Sequence, residues 1–460
     1  RAPMSRIHHH RAHLLSAVAT SGFESGWAIS MDGKGDLLAG MVAQVGPPLR
    51  IRREISLLDS PGIFYSAITR LLGFRADEDE GKTTALAAGG GGSPRIDALL
   101  ARELSWTGGD LRFHTLRGRA ARAALVKLPT DAVAADLAAA LGRAGGADRG
   151  EIAAAAQRRL ETVVVGLLDD AVADQGPVDL AVAGGVFANV SLNRVLSRHP
   201  AVRRLFVHPA MGDSGLAVGA CVGAHQRLTG VIPALPLRDV FLGTGIEDAA
   251  VADLLSRRQI PFRRPAALAE RVGRLLAAGA TVGVCRGRME YGPRALGHRS
   301  ILCHPGDPQL TARLNASLGR SAVMPFAPAI ADEQLSSCVD LRPEERRNAG
   351  FMTLAVPATR RLRDLCPAAV HVDGTARVQA VDRGTTPFLH GVIRAFGKRT
   401  GIPAVINTSL NRHREPIVRS AEDALRTASA AGLDALVLGE VLIDGTDLRG
   451  SGSGQTRQQR

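Results

Sequence analysis

Twice between residues 178 and 229 an apolar run stops at glycine and turns into a helix. VDLAVAGG at 178–185 leads into VFANVSLNRVLSRH, and RLFVHPA at 204–210 leads through GDSG into LAVGACVGAHQRL. A short, continuously apolar run reads as a strand buried on both faces. Strands alternating with helices in this way are expected to pair in parallel, through crossover connections. The chain is therefore expected to be α/β, and that excludes an all-helical bundle or a β-sandwich.

The flanking segments fill in the plan. Residues 1–22 run from a histidine cluster into LLSAVAT and predict a helix. Residues 27–30 predict a strand, MDGKGD at 31–36 a turn, and 37–45 the returning strand of a hairpin. PGIFYSAITRLLGF at 61–74 has helical spacing behind a proline. EGKTTALAAGGGG predicts a turn, a short helix and a glycine tract, and the Ala-rich 131–174 predicts two long helices. A first domain is expected over 1–230, a Pro-containing connection over 231–262, and a second α/β domain over 263–448. The Gly/Ser-rich tail 449–460 is too polar to pack and is expected to be disordered.

Composition limits the function. Hydrophobic residues make up 45% of the 460 but aromatics only 3%, so aliphatic side chains must build the cores. The net charge of +13 suits nucleic acid or phosphorylated small molecules equally. The scattered charge and the scarcity of aromatics to stack bases disfavour nucleic acid. The five cysteines include no CxxC pair, so neither a zinc knuckle nor a disulfide framework is indicated, and a reducing cytoplasm is expected. No run is long and apolar enough to span a membrane.

Two stretches carry chemistry. RGRMEYGPRALGHRSILCHP at 286–305 sets Arg286, Arg288, Arg294 and Arg299 among three glycines, behind the strand-like ATVGV. Guanidinium forks suit phosphate or carboxylate oxygens, and glycine lets backbone approach a ligand. The other reading is a solvated basic turn. At the N-terminus His9 and His13 stand four apart and share a helix face, where they could hold one metal ion or simply face solvent. A cloning tag is a third reading, which the interruption by Arg11 and Ala12 argues against. GGVFAN at 184–189 offers a glycine turn and a helix start, either a phosphate cradle or a packing turn.

The Arg-rich stretch resembles the C-terminal motif of the carbamoyltransferase family that includes nodulation protein U, the cephem hydroxymethyl carbamoyltransferase and the tobramycin carbamoyltransferase. HHxxH, GDSG, GGV–xxN–xxxN, HVDGTARVQAV, INTSLNRHREPIV and MPFAPAI match in family order over most of the chain. The resemblance implies an actin-like, TsaD-like N-terminal domain and a YrdC-like C-terminal domain. It implies that the second domain forms carbamoyl adenylate from carbamoyl phosphate and ATP, with Mg accompanying the ATP. Arg294, Arg377, Ser409 and Asn407 are then the candidate catalytic residues. His9, His13, Asp32 and Asp213 become a set for Fe(II) or a similar divalent ion. Gly184, Gly185, Asn189, Asn193 and Arg288 become candidate nucleotide contacts, and Lys82 is a further match of open role.

The acceptor implied is a small molecule, a secondary metabolite or sugar, with a homodimer as a candidate assembly. The chain departs from the family at Gly319 and Met324, where basic residues often stand, and Arg320 is the candidate replacement. The family's opening strand hairpin is expected to be missing before the histidine helix, from a truncated start or in a decayed copy. Two other functions stay open: a non-catalytic nucleotide-binding remnant, and an RNA-associated protein of the tRNA-modification type.

Overall fold

A computed structural model describes residues 4–120, 130–143, 145–173, 175–320 and 325–450. The chain packs as two compact units that divide between residues 238 and 239.

The first unit is built on a mixed sheet. Strands β1 (Gly26–Gly35), β2 (Leu38–Val45) and β3 (Arg50–Ser56) run antiparallel, and β4 (Val178–Ala183) and β5 (Val202–Val207) continue the sheet in parallel. Their order is β3-β2-β1-β4-β5. The expected parallel pair is thus β4–β5, and β4 also pairs with β1 through Trp27 and Leu180. The hairpin turn is not at 31–36. Strand β1 runs on to Gly35, and the reversal falls at Asp36 and Leu37, whose φ values of 48° and 67° make a tight left-handed turn. The ladder shifts register between Met31 and Gly35, which turns Asp32 out of the regular pairing.

Helix α1 (His9–Ser21) is almost wholly buried, and its His10 and His13 face protein and not water. It crosses α5 (Leu216–Thr229) closely enough that a Cβ on Gly219 would lie 1.8 Å from the Ala12 carbonyl oxygen. Helix α2 (Pro61–Leu71) starts at a Ser60 cap, with Pro at its first turn as expected. The two Ala-rich helices span Thr130–Arg143 and α3 (Arg149–Ala171), the latter opened by a capping box of Asp148 and Glu151. Helix α4 (Val190–Ser197) lies between β4 and β5.

The second unit carries a seven-stranded sheet among the described residues. Its strands are β6 (Val282–Cys285), β7 (Arg299–Cys303), β8 (Ala327–Ala331), β9 (Gln379–Val381), β10 (Ala404–Ser409), β11 (Ala435–Leu438) and β12 (Val441–Asp444), in the order β9-β8-β10-β7-β6-β11-β12. Helices α6 (Leu268–Ala277) and α7 (Pro387–Thr400) pack with it, and a further helix spans Pro308–Ser317.

The connection expected at 231–262 divides. Residues from 239 onward fold with the second unit, where the Tyr291 N–H donates to the Val240 carbonyl at 2.6 Å and Arg263 bridges to Leu442. A helix at Gly445–Gly450 closes the described chain, so the tail expected at 449–460 begins inside it, and 451–460 lie outside the described residues. No helix among the described residues is long and apolar enough to cross a membrane.

Candidate functional site

In the first unit four predicted metal ligands meet. His9 and His13 present their Nε2 atoms 3.2 Å apart on one face of α1. His13 Nε2 lies 3.3 Å from Asp32 Oδ2 and 3.6 Å from Asp213 Oδ1, and His9 Nε2 lies 3.6 Å from Asp213 Oδ1. All four donor atoms fall within 4.8 Å of one another.

Each ligand is held by its surroundings. Gly35 has no side chain, and the His9 ring lies where its Cβ would be, 2.2 Å from Cδ2. The His9 N–H is capped from outside the helix by Asp36 Oδ2 at 2.8 Å. Asp32 Oδ2 accepts from the Gly185 N–H at 2.9 Å, and Oδ1 from the Gly33 N–H at 2.6 Å. Burial pushes the Asp32 carboxyl up, but the hydrogen bonds from His13, Gly185 and Gly33 outweigh it and hold it below its ordinary value. His9 is lowered, first by burial and then by the neighbouring His13. Two imidazole nitrogens and two carboxylate oxygens converging on one point fit a borderline divalent ion such as Fe(II). His10 is fully buried, its Nε2 3.1 Å from the Leu38 carbonyl, and burial takes it down to about 4.

The glycine turn after β4 adjoins this site. Gly184 sits at φ 109°, where a Cβ would strike the Met31 carbonyl at 2.1 Å. Gly185 gives its N–H to Asp32. Asn189 caps α4 by accepting from the Leu192 N–H at 3.0 Å, and exchanges hydrogen bonds with Gln157. Asn193 is fully buried and donates to the Phe187 carbonyl at 2.8 Å. Asn189 and Asn193, expected as nucleotide contacts, thus both make hydrogen bonds within the first unit. Lys82 pairs with Asp79 at 2.7 Å.

The second unit joins the other predicted residues through two amides. Asn407 Nδ2 donates to the Ala295 carbonyl at 3.2 Å, and Gln379 Nε2 donates to the Leu296 carbonyl at 2.8 Å. The loop of Arg294, the segment of Arg377 and the strand of Ser409 are thereby tied together. Ser409 shares the face of β10 with Asn407 by strand alternation. Arg294 and Arg377 are half-buried, and among the described residues no carboxylate pairs with either. Burial lowers Arg294; burial and then the Arg294 charge drive Arg377 well below its ordinary value. A guanidinium does not give up its proton at such a site, so both side chains stay cationic.

Arg320 clamps the Ser409 loop. It donates to Thr408 Oγ1 at 2.7 Å, Ser409 Oγ at 3.1 Å and Asn411 Oδ1 at 2.7 Å, and burial takes it down to about 10. Gly319, beside it, is a helix-ending glycine at φ 67°, and Met324 lies outside the described residues. Arg288 donates to the carbonyls of Leu242 and Gly243 at 2.5 and 3.1 Å and ties its loop to that segment. Arg299 is fully buried and donates to the carbonyls of Arg286, Gly287, His298 and Thr244. Glu290 Oε1 gathers the N–H groups of Leu296, His298 and Arg299. The sequence reading did not single out Glu290 or Gln379. Their place inside the Arg loop and two residues beyond Arg377 was the available hint.

The family profile for the carbamoyltransferase N-terminus matches residues 1–222, and that for the carbamoyltransferase C-terminus matches residues 273–444. The chain belongs to the carbamoyltransferase family. It is 33% identical to nodulation protein NolNO of Sinorhizobium fredii, over 96% of this chain and 64% of that protein. It is 35% identical to nodulation protein NolO of Bradyrhizobium diazoefficiens, over 95% of this chain and 78% of that protein. The 3'-hydroxymethylcephem-O-carbamoyltransferase of Amycolatopsis lactamdurans is 31% identical, over 57% of this chain and 48% of that enzyme. Within this carbamoyltransferase-family chain the N-terminal match contains the His–Asp cluster, and the C-terminal match contains Arg294, Arg377 and Ser409.

Proposed function

We propose that the chain is an ATP-dependent carbamoyltransferase. The single observation that carries this is the pair Arg294 and Arg377, two half-buried cations without a carboxylate beside them among the described residues. Such a pair is suited to an anion whose charge changes during reaction. In this reading carbamoyl phosphate, ATP and one water give carbamoyl adenylate, phosphate and pyrophosphate. Arg294 and Arg377 neutralise the departing oxygens, Ser409 contacts the phosphate, and Arg320 positions Ser409. Asn407 ties the Arg294 loop to β10. The mixed sheets of the two units are compatible with an actin-like first half and a YrdC-like second half.

The activated carbamoyl group then passes to a hydroxyl or amine of a small-molecule acceptor. His9, His13, Asp32 and Asp213 would hold Fe(II) or a similar divalent ion at the transfer site. Such an ion acts as a Lewis acid toward a carbonyl oxygen. The N–H groups of Gly185 and Gly33 keep Asp32 ionised and aimed at His13. The mostly exposed Asp213 leaves one side of the cluster open to an acceptor.

The decisive assay is carbamoyl phosphate-dependent release of pyrophosphate from ATP. Release by the wild type, lost in Arg294→Ala, supports the enzyme. One observation favours a second reading, nucleotide binding without transfer: a helix-ending glycine, Gly319, stands where a base is usual. Folded wild-type protein that binds ATP yet releases no pyrophosphate would establish that alternative.

A further inference from the structure

The two carboxylates of the His–Asp cluster stand on separate segments of the first unit. Asp32 lies in β1, and Asp213 follows β5. One short turn meets both. Gly184 donates its N–H to the carbonyl of Met211, two residues before Asp213, at 2.6 Å. The next residue, Gly185, donates its N–H to Asp32 Oδ2 at 2.9 Å. Two successive peptide groups therefore bind the Asp213 loop and the Asp32 side chain at a fixed distance from each other.

The turn is itself held from α4. The Phe187 N–H donates back to the Gly184 carbonyl at 3.0 Å, and the Phe187 carbonyl accepts from Asn193 Nδ2 at 2.8 Å. Asn193 is fully buried, between the buried Leu192 and Leu196 of the same helix. The helix does not require a carboxamide there, because the Asn193 backbone N–H already bonds the Asn189 carbonyl at 3.1 Å. An amide enclosed among apolar groups costs free energy unless it makes hydrogen bonds. This one bonds the turn. Hydrogen bonds thus lead without a gap from Asn193, through Phe187 and Gly184, to the segment of Asp213, and through the neighbouring Gly185 to Asp32. Groups that orient metal ligands from outside commonly govern the affinity of the site.

We propose that Asn193 is a positioning residue of the His–Asp cluster, which sets the separation of Asp32 and Asp213 through the 184–187 turn and so governs divalent-ion affinity. Its amide bonds the turn and touches none of the four ligands. The assignment rests on the metal reading above.

The test uses Co(II) as the probe, titrated into the full chain and followed by its visible absorption bands and by calorimetry. Asn193→Leu keeps the size of the side chain and removes the donor. It should weaken Co(II) binding roughly 10- to 100-fold and alter the shape of the bands, because the two carboxylates no longer hold their places. Leu196→Ala, at a buried position one turn further along α4, lowers stability without removing a hydrogen bond from the turn. It should bind Co(II) as the wild type does. Asn193→Ser is the milder variant for use if the leucine protein does not fold; its hydroxyl is too short to reach the Phe187 carbonyl, and the same loss is expected. A folded Asn193 variant with wild-type affinity and band shape overturns the proposal, as does equal weakening by Leu196→Ala. Wild-type protein that takes up no Co(II), or His13→Ala that binds it as tightly as the wild type, sinks the metal assignment and the proposal with it. Carbamoyl transfer is scored separately, so metal binding with this pattern but no transfer leaves the role of Asn193 standing.

Discussion

Asn407 Nδ2 donates to Gln379 Oε1 at 2.6 Å, across the intervening strand β8. The contact is open because β8 presents Ala327 and Ala329 at the paired positions, small enough for two amides to meet over them. Both amides then hold the carbonyls that follow Arg294. Gln379→Leu would leave the Leu296 carbonyl and one Asn407 proton unpaired in a buried site, a loss of about 2–4 kcal/mol. Urea unfolding checks this. The double variant Gln379→Leu/Asn407→Leu should cost at least ~1 kcal/mol less than the sum of the singles, because the two groups share one network.

Arg377 faces the opposite balance. Its charge is half-buried beside another cation and lacks a counterion among the described residues. Arg377→Met should therefore raise the stability of the free protein by about 1 kcal/mol, a modest figure because the guanidinium is still partly solvated. The same variant should lose pyrophosphate release. Carbamoyl phosphate should raise the melting temperature of the wild type and leave that of the variant unchanged. A variant less stable than the wild type, with no ligand present, would contradict the uncompensated charge.

At the histidine cluster, removing one ligand should separate the two half-reactions. His13→Ala deletes the fully buried member that touches His9, Asp32 and Asp213. Metal content by mass spectrometry should fall to background. Pyrophosphate release should persist, because its residues lie in the other unit, while carbamoyl transfer to an acceptor should disappear. Transfer by metal-free protein would refute the assignment.

The sequence revealed α/β architecture because apolar runs and glycine stops are local signals. The pairing of His9 with His13 was legible for the same reason, since helical spacing alone puts them on one face. Asp32 and Asp213 lie 19 and 200 residues from His13 in the chain. No local pattern could bring them there, and only the family resemblance did. That Asn189 caps a helix and Asn193 is buried against Phe187 was not legible, because the local sequence does not show where an amide points. Arg288, Arg294 and Arg299 are indistinguishable by residue type. Their contacts separate them: Arg299 and Arg288 serve backbone carbonyls, and Arg294 has no carboxylate partner among the described residues. The hairpin turn was misplaced because DG is a strong turn signal, whereas the register shift after Met31 depends on the partner strand.

His208 gives the first unit an acid sensitivity with a definite sign. It is fully buried at the end of β5, and Thr20 Oγ1 gives its own proton to the Ser16 carbonyl at 2.6 Å. His208 Nδ1 must then donate to Thr20, at 2.9 Å, which fixes the tautomer. Burial first, and the His13 charge second, take the imidazole down to about 3. The unfolded chain takes up a proton near pH 6.5 that the folded chain refuses. The contribution is complete above that pH and is lost as the pH falls below it, by about 1.4 kcal/mol per pH unit. Between about pH 6.5 and pH 5 this amounts to roughly 2 kcal/mol. His208→Gln keeps a polar group near Thr20 but cannot titrate, so its stability should decline less steeply with acid, by about one proton. Urea unfolding at several pH values compares the slopes; parallel slopes for wild type and variant would show that His208 is not the group responsible.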